Sequence, residues 1–131
     1  MINPDRLTVK TAEALNEAVS LARKNGNPVA YDVHLLRALL DQDEGIVTPI
    51  LQKLGVKISS LRDAIDTEIG RYPKQSDANP SLSREMNAVI DGAEKQAKTM
   101  EDEYVSTEHL LLALASTKGA ESVALLKAAS V

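Results

Sequence analysis

One phrase occurs twice in this chain, and it limits the possible folds more than any other feature. The first copy reads Tyr31-Asp32-Val33-His34-Leu35-Leu36-Arg37-Ala38-Leu39 and the second Ser106-Thr107-Glu108-His109-Leu110-Leu111-Leu112-Ala113-Leu114. The chain's two histidines sit in these copies, 75 positions apart (109 − 34). The same offset aligns Leu7 with Leu82, Thr8 with Ser83, Leu15 with Ile90, Ala18 with Ala93 and Ala22 with Ala97, and later Ile50 with Leu125 and Leu51 with Leu126. A constant offset without gaps across several helical segments is the mark of an internal duplication.

The duplicated unit is helical. Apolar residues make up 44% of the 131 positions, but aromatic residues only 2%: three tyrosines, no phenylalanine, no tryptophan. The core is therefore packed from Leu, Ile, Val and Ala. That favours helix on helix over a β-sandwich. The same shortage argues against single-stranded nucleic acid, which stacks its bases on aromatic rings. A net charge of −4 with scattered Lys and Arg offers no stripe to follow a phosphate backbone. There is no cysteine, which suits a reducing compartment. The start has no apolar signal core, and no apolar run reaches membrane-spanning length. The expected setting is cytoplasmic, with neither membrane nor nucleic acid as partner.

Taken in order, the chain reads as about seven helices. Thr8 caps the first, whose apolar stripe is expected at Ala12, Leu15, Val19 and Ala22, and Asn25-Gly26 stops it. Asp32 opens the second, with Leu35, Leu36, Leu39 and Leu40 buried. The third carries Ile46, Val47, Ile50, Leu51 and Leu54 and ends at Gly55-Val56 in a Schellman-type turn. The fourth carries Ile58, Leu61, Ile65 and Ile69. Residues 71–81 hold two prolines and mostly polar side chains and read as a mobile linker. Ser83 caps the fifth helix, with Met86, Ile90, Ala93, Ala97 and Met100 as its stripe. An acidic turn, Glu101-Asp102-Glu103, leads to the sixth, capped by Ser106 or Thr107. The seventh carries Val123, Leu125, Leu126 and Ala129.

The expectation is one all-α, pseudo-two-fold domain over residues 1–131: repeat one at 5–70, linker 71–81, repeat two at 82–131. The counterpart of the fourth helix falls beyond Val131, so the second repeat is expected to lack its last helix. Each repeat alone is near the lower size limit for independent folding, so the two should share one core.

A search for reaction chemistry finds little. Neither G-x-x-x-x-G-K-[ST] nor G-x-G-x-x-G occurs, so nucleotide chemistry is not expected in this segment. Asp41-Gln42-Asp43-Glu44-Gly45 imitates a calcium loop, but Ile46 stands at the glycine position and Gln52 at the bidentate glutamate position. His34 and His109 lack the further local ligands that a zinc site needs. Glu13 and Glu17, one turn apart, read as a solvated face. No catalytic residue and no metal site is expected. The acids at 101–103 suit a helix start through the macrodipole and could also orient a partner's backbone or basic side chain. Tyr104 reads equally as a core plug or an exposed contact.

The stretch from Asp102 to Leu114 resembles the second repeat of the Clp N-terminal domain. Asp5-Arg6-Leu7-Thr8, Gly45-Ile46-Val47 and Leu51-Gln52-Lys53-Leu54-Gly55-Val56 resemble its first repeat. The likeness covers nearly the whole chain and is greatest to the ClpB disaggregase branch. Tyr31-Asp32-Val33-His34 departs from the Ser/Thr/Pro-Glu-His form common in the family. The resemblance implies a non-catalytic double-Clp-repeat domain tethered ahead of two AAA+ ATPase modules. It implies unfolded or aggregated polypeptide as partner, adaptor or co-chaperone proteins as further candidates, and ATP and magnesium only in the downstream modules. A hexameric parent and a monomeric fragment go with it. Family positions linked to substrate handling fall on Thr8, Asp102 and Glu108, to which we add Ile90 as an apolar contact and Tyr104. The alternative is the adaptor-docking domain of a Clp protease unfoldase.

Overall fold

The structure is a computed structural model that describes residues 3–131; Met1 and Ile2 of the expected domain lie outside the described residues. A 3-10 turn, Pro4–Arg6, leads into seven helices: α1 (Val9–Lys24), α2 (Asp32–Leu40), α3 (Val47–Lys53), α4 (Ile58–Gly70), α5 (Arg84–Thr99), α6 (Thr107–Ser116) and α7 (Glu121–Ala128). Two short strands, β1 (Val29–Ala30) and β2 (Ser81–Leu82), pair in parallel with Val29 opposite Ser81 and Ala30 opposite Leu82. The fold is all-helical and duplicated. Both ends of α5 lie 75 positions beyond those of α1.

The local signals act as expected. The Thr8 hydroxyl accepts from Thr11 N at 3.2 Å, and the Ser83 hydroxyl from Met86 N at 2.9 Å. After α3, Gly55 takes a positive φ of 87°, and Val56 N–H reaches back to Leu51 O at 3.0 Å. That closes the Schellman turn and buries Val56. In α2 every residue but Arg37 is buried, as a helix at the centre of a core must be. It touches α1, α3 and α4 in its own repeat and α5, α6 and α7 in the other.

The sequence did not announce how the repeats are joined. β1 belongs to repeat one and β2 spans the junction of the linker with repeat two, so the Ala30–Leu82 pairing joins the two repeats. The reciprocal contact is a parallel bridge between Leu7 and Val105. Ser83 N donates to Ala30 O at 3.0 Å, and Thr8 N donates to Val105 O at 3.1 Å. Thr11 Oγ1 adds a buried bond to the same Val105 carbonyl. A further tie is asymmetric: buried Asp32, at the start of α2, accepts Ser122 N from the first turn of α7 at 2.8 Å. Its Oδ1 has no partner among the described residues, and burial pushes its pKa up.

Some expectations need correction. The buried face of α1 is Thr11, Ala14, Ala18 and Ala22; of the expected stripe only Ala22 is buried, and Ala12, Leu15 and Val19 are not. Small side chains let α1 lie close against α2, and the larger Leu15 and Val19 are left half-buried on a neighbouring face. Ile46, Leu54 and Met100, expected in stripes, are 42%, 58% and 53% exposed, because each lies at or beyond a helix end.

The linker is not free either. Pro73 O accepts from Asn27 Nδ2 at 3.0 Å, Gln75 N donates to Gly26 O at 2.8 Å, and the Tyr72 ring lies 4.2 Å from that of Tyr31. Prolines there remove donors without preventing these bonds.

Each repeated histidine closes a buckle. Tyr31 N donates to His34 Nδ1 at 2.9 Å, and Ser106 N to His109 Nδ1 at 2.9 Å. An accepting Nδ1 places the proton on Nε2, which then donates seven residues back: to Asn27 Oδ1 at 3.0 Å and to Asp102 Oδ2 at 2.8 Å. Both ring nitrogens are engaged locally. Among the described residues no cluster of three or more ligating side chains could hold a metal.

Two tests follow from this packing. Leu36→Ala should cost about 2–5 kcal/mol in urea unfolding by opening a cavity, whereas exposed Lys95→Ala should stay within about 0.5 kcal/mol; equal costs would contradict the core. Burial lowers the His34 pKa from 6.5 to about 4. The unfolded chain therefore binds a proton that the folded chain excludes. Stability should be full above pH 6.5 and fall by up to about 1.4 kcal/mol per pH unit as pH drops towards 4. Urea titrations between pH 6.5 and 5 should show that slope in the parent chain and a flatter one in His34→Gln; identical slopes would refute the assignment.

Candidate functional site

Two depressions meet where the repeats join. The first is an apolar groove of about 570 Å³ between α1 and α5. Leu7, Leu15, Val19, Leu82, Met86 and Ile90 line it, and Asn16, Asn87 and Asp91 supply its polar edge. Two lining pairs, Leu7 with Leu82 and Leu15 with Ile90, are related by the 75-residue offset, so the groove lies along the pseudo-axis. Its size and lining are those of a site for apolar side chains. Leu15 and Val19 stand here because the alanine face of α1 has already filled the core side.

The second is a smaller cleft of about 260 Å³ formed by Thr8, Asp102, Glu103, Tyr104, Ser106 and Glu108, with His109 behind them. Thr8 sits at the start of α1, and Glu108 lies in the first turn of α6. Asp102 is held by His109 Nε2, and its carboxylate stays 47% exposed. Tyr104 is 49% exposed, so it lies on the surface and is not a core plug. Among the described residues no lysine or arginine pairs with Glu101, Glu103 or Glu108. Glu101 holds a positive φ of 58°, a conformation in which a side chain is uncommon.

Of the five expected site residues, Thr8, Asp102, Tyr104 and Glu108 come together in the cleft, and Ile90 lies in the groove. Adjacent residues Leu7 and Thr8 line one depression each. Leu7, Leu15, Val19, Leu82 and Met86 were not among the expected contacts. The offset pairs Leu7/Leu82 and Leu15/Ile90 were a usable signal, since residues repeated in both units can meet at the axis between them. Glu13 and Glu17 flank a separate polar hollow between α1 and α2, with Asn16, Asp41 and Gln42.

The groove offers apolar surface, and the cleft offers carboxylates, hydroxyls and a ring. Among the described residues no helix is long and apolar enough to cross a membrane.

Comparison with known proteins gives the family. The family model for the Clp repeat (R) N-terminal domain matches residues 6–129. The chain is 39% identical over 126 residues to the chaperone protein ClpB of Porphyromonas gingivalis, covering 96% of this chain and 14% of that protein. It is 44% identical over 110 residues to ClpB of Mycobacterium leprae, covering 82% of this chain and 13% of that protein. The chain thus spans about one-seventh of the length of the curated relatives it matches. Among solved structures, the Hsp104 N-terminal domain from Candida albicans aligns at a TM-score of 0.77 and 22% identity, covering 95% of this chain and 82% of that one. The N-terminal domain of the ClpV1 ATPase of Escherichia coli aligns at 0.80 and 25% identity, covering 93% and 77%. A structure described as a peptide from the SciI protein of the E. coli Sci1 type VI secretion system aligns at 0.79 and 26%, covering 92% and 74%. With a family model matching nearly its whole length, this chain belongs to the Clp repeat N-terminal domain family, the non-catalytic N-domains of Clp ATPases.

Proposed function

We propose that this chain is the receiving domain of a ClpB-like protein disaggregase. It captures unfolded or aggregated polypeptide and passes it to AAA+ modules elsewhere in the full-length protein. The observation that carries this reading is the apolar groove along the pseudo-axis, open to solvent and edged by Asn16, Asn87 and Asp91. A folded client hides its large apolar side chains; an unfolded one presents them. Each Leu or Phe transferred from water into the groove contributes about 1.5–3 kcal/mol. The client must give up chain entropy to dock, so affinity stays modest. Several copies on one ring would restore retention through avidity. A hexamer suits that arrangement, and ATP and magnesium would act in the motor modules.

In this reading Ile90 contacts apolar side chains, while Thr8, Asp102, Tyr104 and Glu108 contact the client's backbone and polar groups beside it. The likeness to ClpB relatives supports the disaggregase assignment. The likeness to a ClpV N-domain and to a structure containing a SciI peptide favours a second reading, in which the same surface docks a defined adaptor segment.

The test is a titration of the ¹⁵N-labelled chain with a permanently unfolded protein, such as reduced and carboxymethylated α-lactalbumin. Shifts should cluster at Leu7, Leu15, Val19 and Ile90. Val19→Asp and Leu15→Asp should each weaken binding about tenfold or more with an unchanged circular dichroism spectrum. Binding that is indifferent to both variants, or equal binding of the native client, would reject the reading.

A further inference from the structure

The apolar groove maps onto itself under the pseudo-axis. Counting forward 75 places, Leu7, Leu15 and Asn16 become Leu82, Ile90 and Asp91, and all six line it. The match is structural as well as numerical. Thr8 and Ser83 cap α1 and α5 in the same way, and the bridge between Leu7 and Val105 repeats the pairing of Leu82 with Ala30. A two-fold rotation that carries an open groove onto itself must carry its mouth onto its mouth. The axis therefore rises through the floor and out of the opening. Rotation about such an axis turns an extended chain in the groove end for end. The rotated ligand is the same L-peptide running the other way, with its side chains against the twin residues.

We infer that the groove accepts an extended apolar segment in either chain direction, and that Asp91 sorts the two by drawing the client's basic side chain to its own half. This rests on the receiving role proposed above and adds how the client lies. The twins that supply the apolar surface are Leu7 with Leu82 and Leu15 with Ile90, so each half presents nearly the same side chains. Burial of apolar surface is itself non-directional. A sheet edge fixes the direction of a docked strand through its hydrogen-bond ladder. Here Leu15, Val19, Met86 and Ile90 lie within α1 and α5, whose main-chain groups are spent along the helices.

What distinguishes the halves is charge. Asn16 and Asp91 are twins, both exposed, and only the second is ionised. Among the described residues Asp91 has no ion-pair partner. The next turn carries the same contrast. Val19 lines the groove, whereas its twin is Glu94, one turn beyond Asp91 on α5. One half is thus neutral and more apolar, the other acidic. Charge complementarity sets register more than affinity, so a lysine or arginine at either end of the client selects the orientation that places it beside Asp91.

Three acetylated and amidated peptides share the palindromic core Leu-Ser-Phe-Ser-Leu. One has a lysine before the core, one has it after, and the third has glutamine in its place. Each carries a nitroxide on a cysteine, at the end away from the lysine or glutamine, and is titrated into the ¹⁵N-labelled chain at low salt. The two lysine peptides should bind within about threefold of each other, since the apolar contacts are direction-free. In both, the nitroxide should broaden the amides around Asn16 and Val19. The glutamine peptide should broaden both halves. Asp91→Asn should weaken the lysine peptides about twofold to fivefold, as loss of an exposed charge pair does, and spread their broadening over both halves. Asn16→Asp combined with Asp91→Asn should move it to the amides around Asp91 and Glu94. A tenfold difference between the lysine peptides, broadening that follows the peptide's N- or C-terminus instead of its lysine, or a charge swap that leaves the pattern unchanged would overturn the inference. Such results, with the peptides still in the groove, leave the receiving role standing; groove amides silent to all three peptides at millimolar concentration would overturn both.

Discussion

The structure depends on a reciprocal exchange of backbone hydrogen bonds between the repeats. Each repeat's entry segment, Leu7 in one and Leu82 in the other, pairs not with its own second helix but with the residue that precedes the partner's, Val105 or Ala30. The pairs are short, yet they are placed where they decide the topology. They fix α1 beside α5 across the axis and thereby create the groove. They also bring Thr8, from the start of the chain, beside Asp102 and Glu108 from near its end. Buried backbone groups must find partners, and here neither repeat can satisfy these positions alone. The single core centred on α2, with contacts to both repeats, follows from the same exchange.

Duplication explains what the two halves share, and divergence explains what they do. Both retain the histidine buckle, because an accepting Nδ1 and a donating Nε2 join the helix start to the preceding turn whatever else changes. Around that fixed frame the first repeat became neutral and closed, with a buried Asn27 and a stacked linker. The second became acidic and open, with Asp102 half in solvent.

The helices could be read from the sequence because their signals are local: Thr8 and Ser83 as caps, Gly26 and Gly55 as stops, leucine spacing in the repeated phrase. The assignment of Leu15 and Val19 to the core failed for a reason that is not local. Apolar spacing marks a stripe but not which edge of it faces inward, and Thr11, Ala14, Ala18 and Ala22 took the buried side. The crossed strands were not legible, since two-residue pairings leave no alternation to detect. The linker was misjudged because its anchors, Asn27 and Tyr31, lie more than 40 residues upstream. Thr8, Asp102 and Glu108 came together because the resemblance supplied positions that spacing alone would not; Tyr104, added to them, lies in the same cleft, and Ile90 fell in the groove next door.

The central claim is that the crossed pairing makes the two repeats one cooperative unit. Native-state hydrogen exchange across a urea series reads this directly, through the amides of Thr8, Ser81, Ser83 and Val105, which donate to Val105, Pro28, Ala30 and Arg6, beside those of Leu36 and Leu111. The account predicts that the crossed amides exchange with the same opening free energy as the core amides of both repeats, and that all merge into one global unfolding. Crossed amides that open far below the core, or two repeats whose core amides open at distinct free energies, would contradict it.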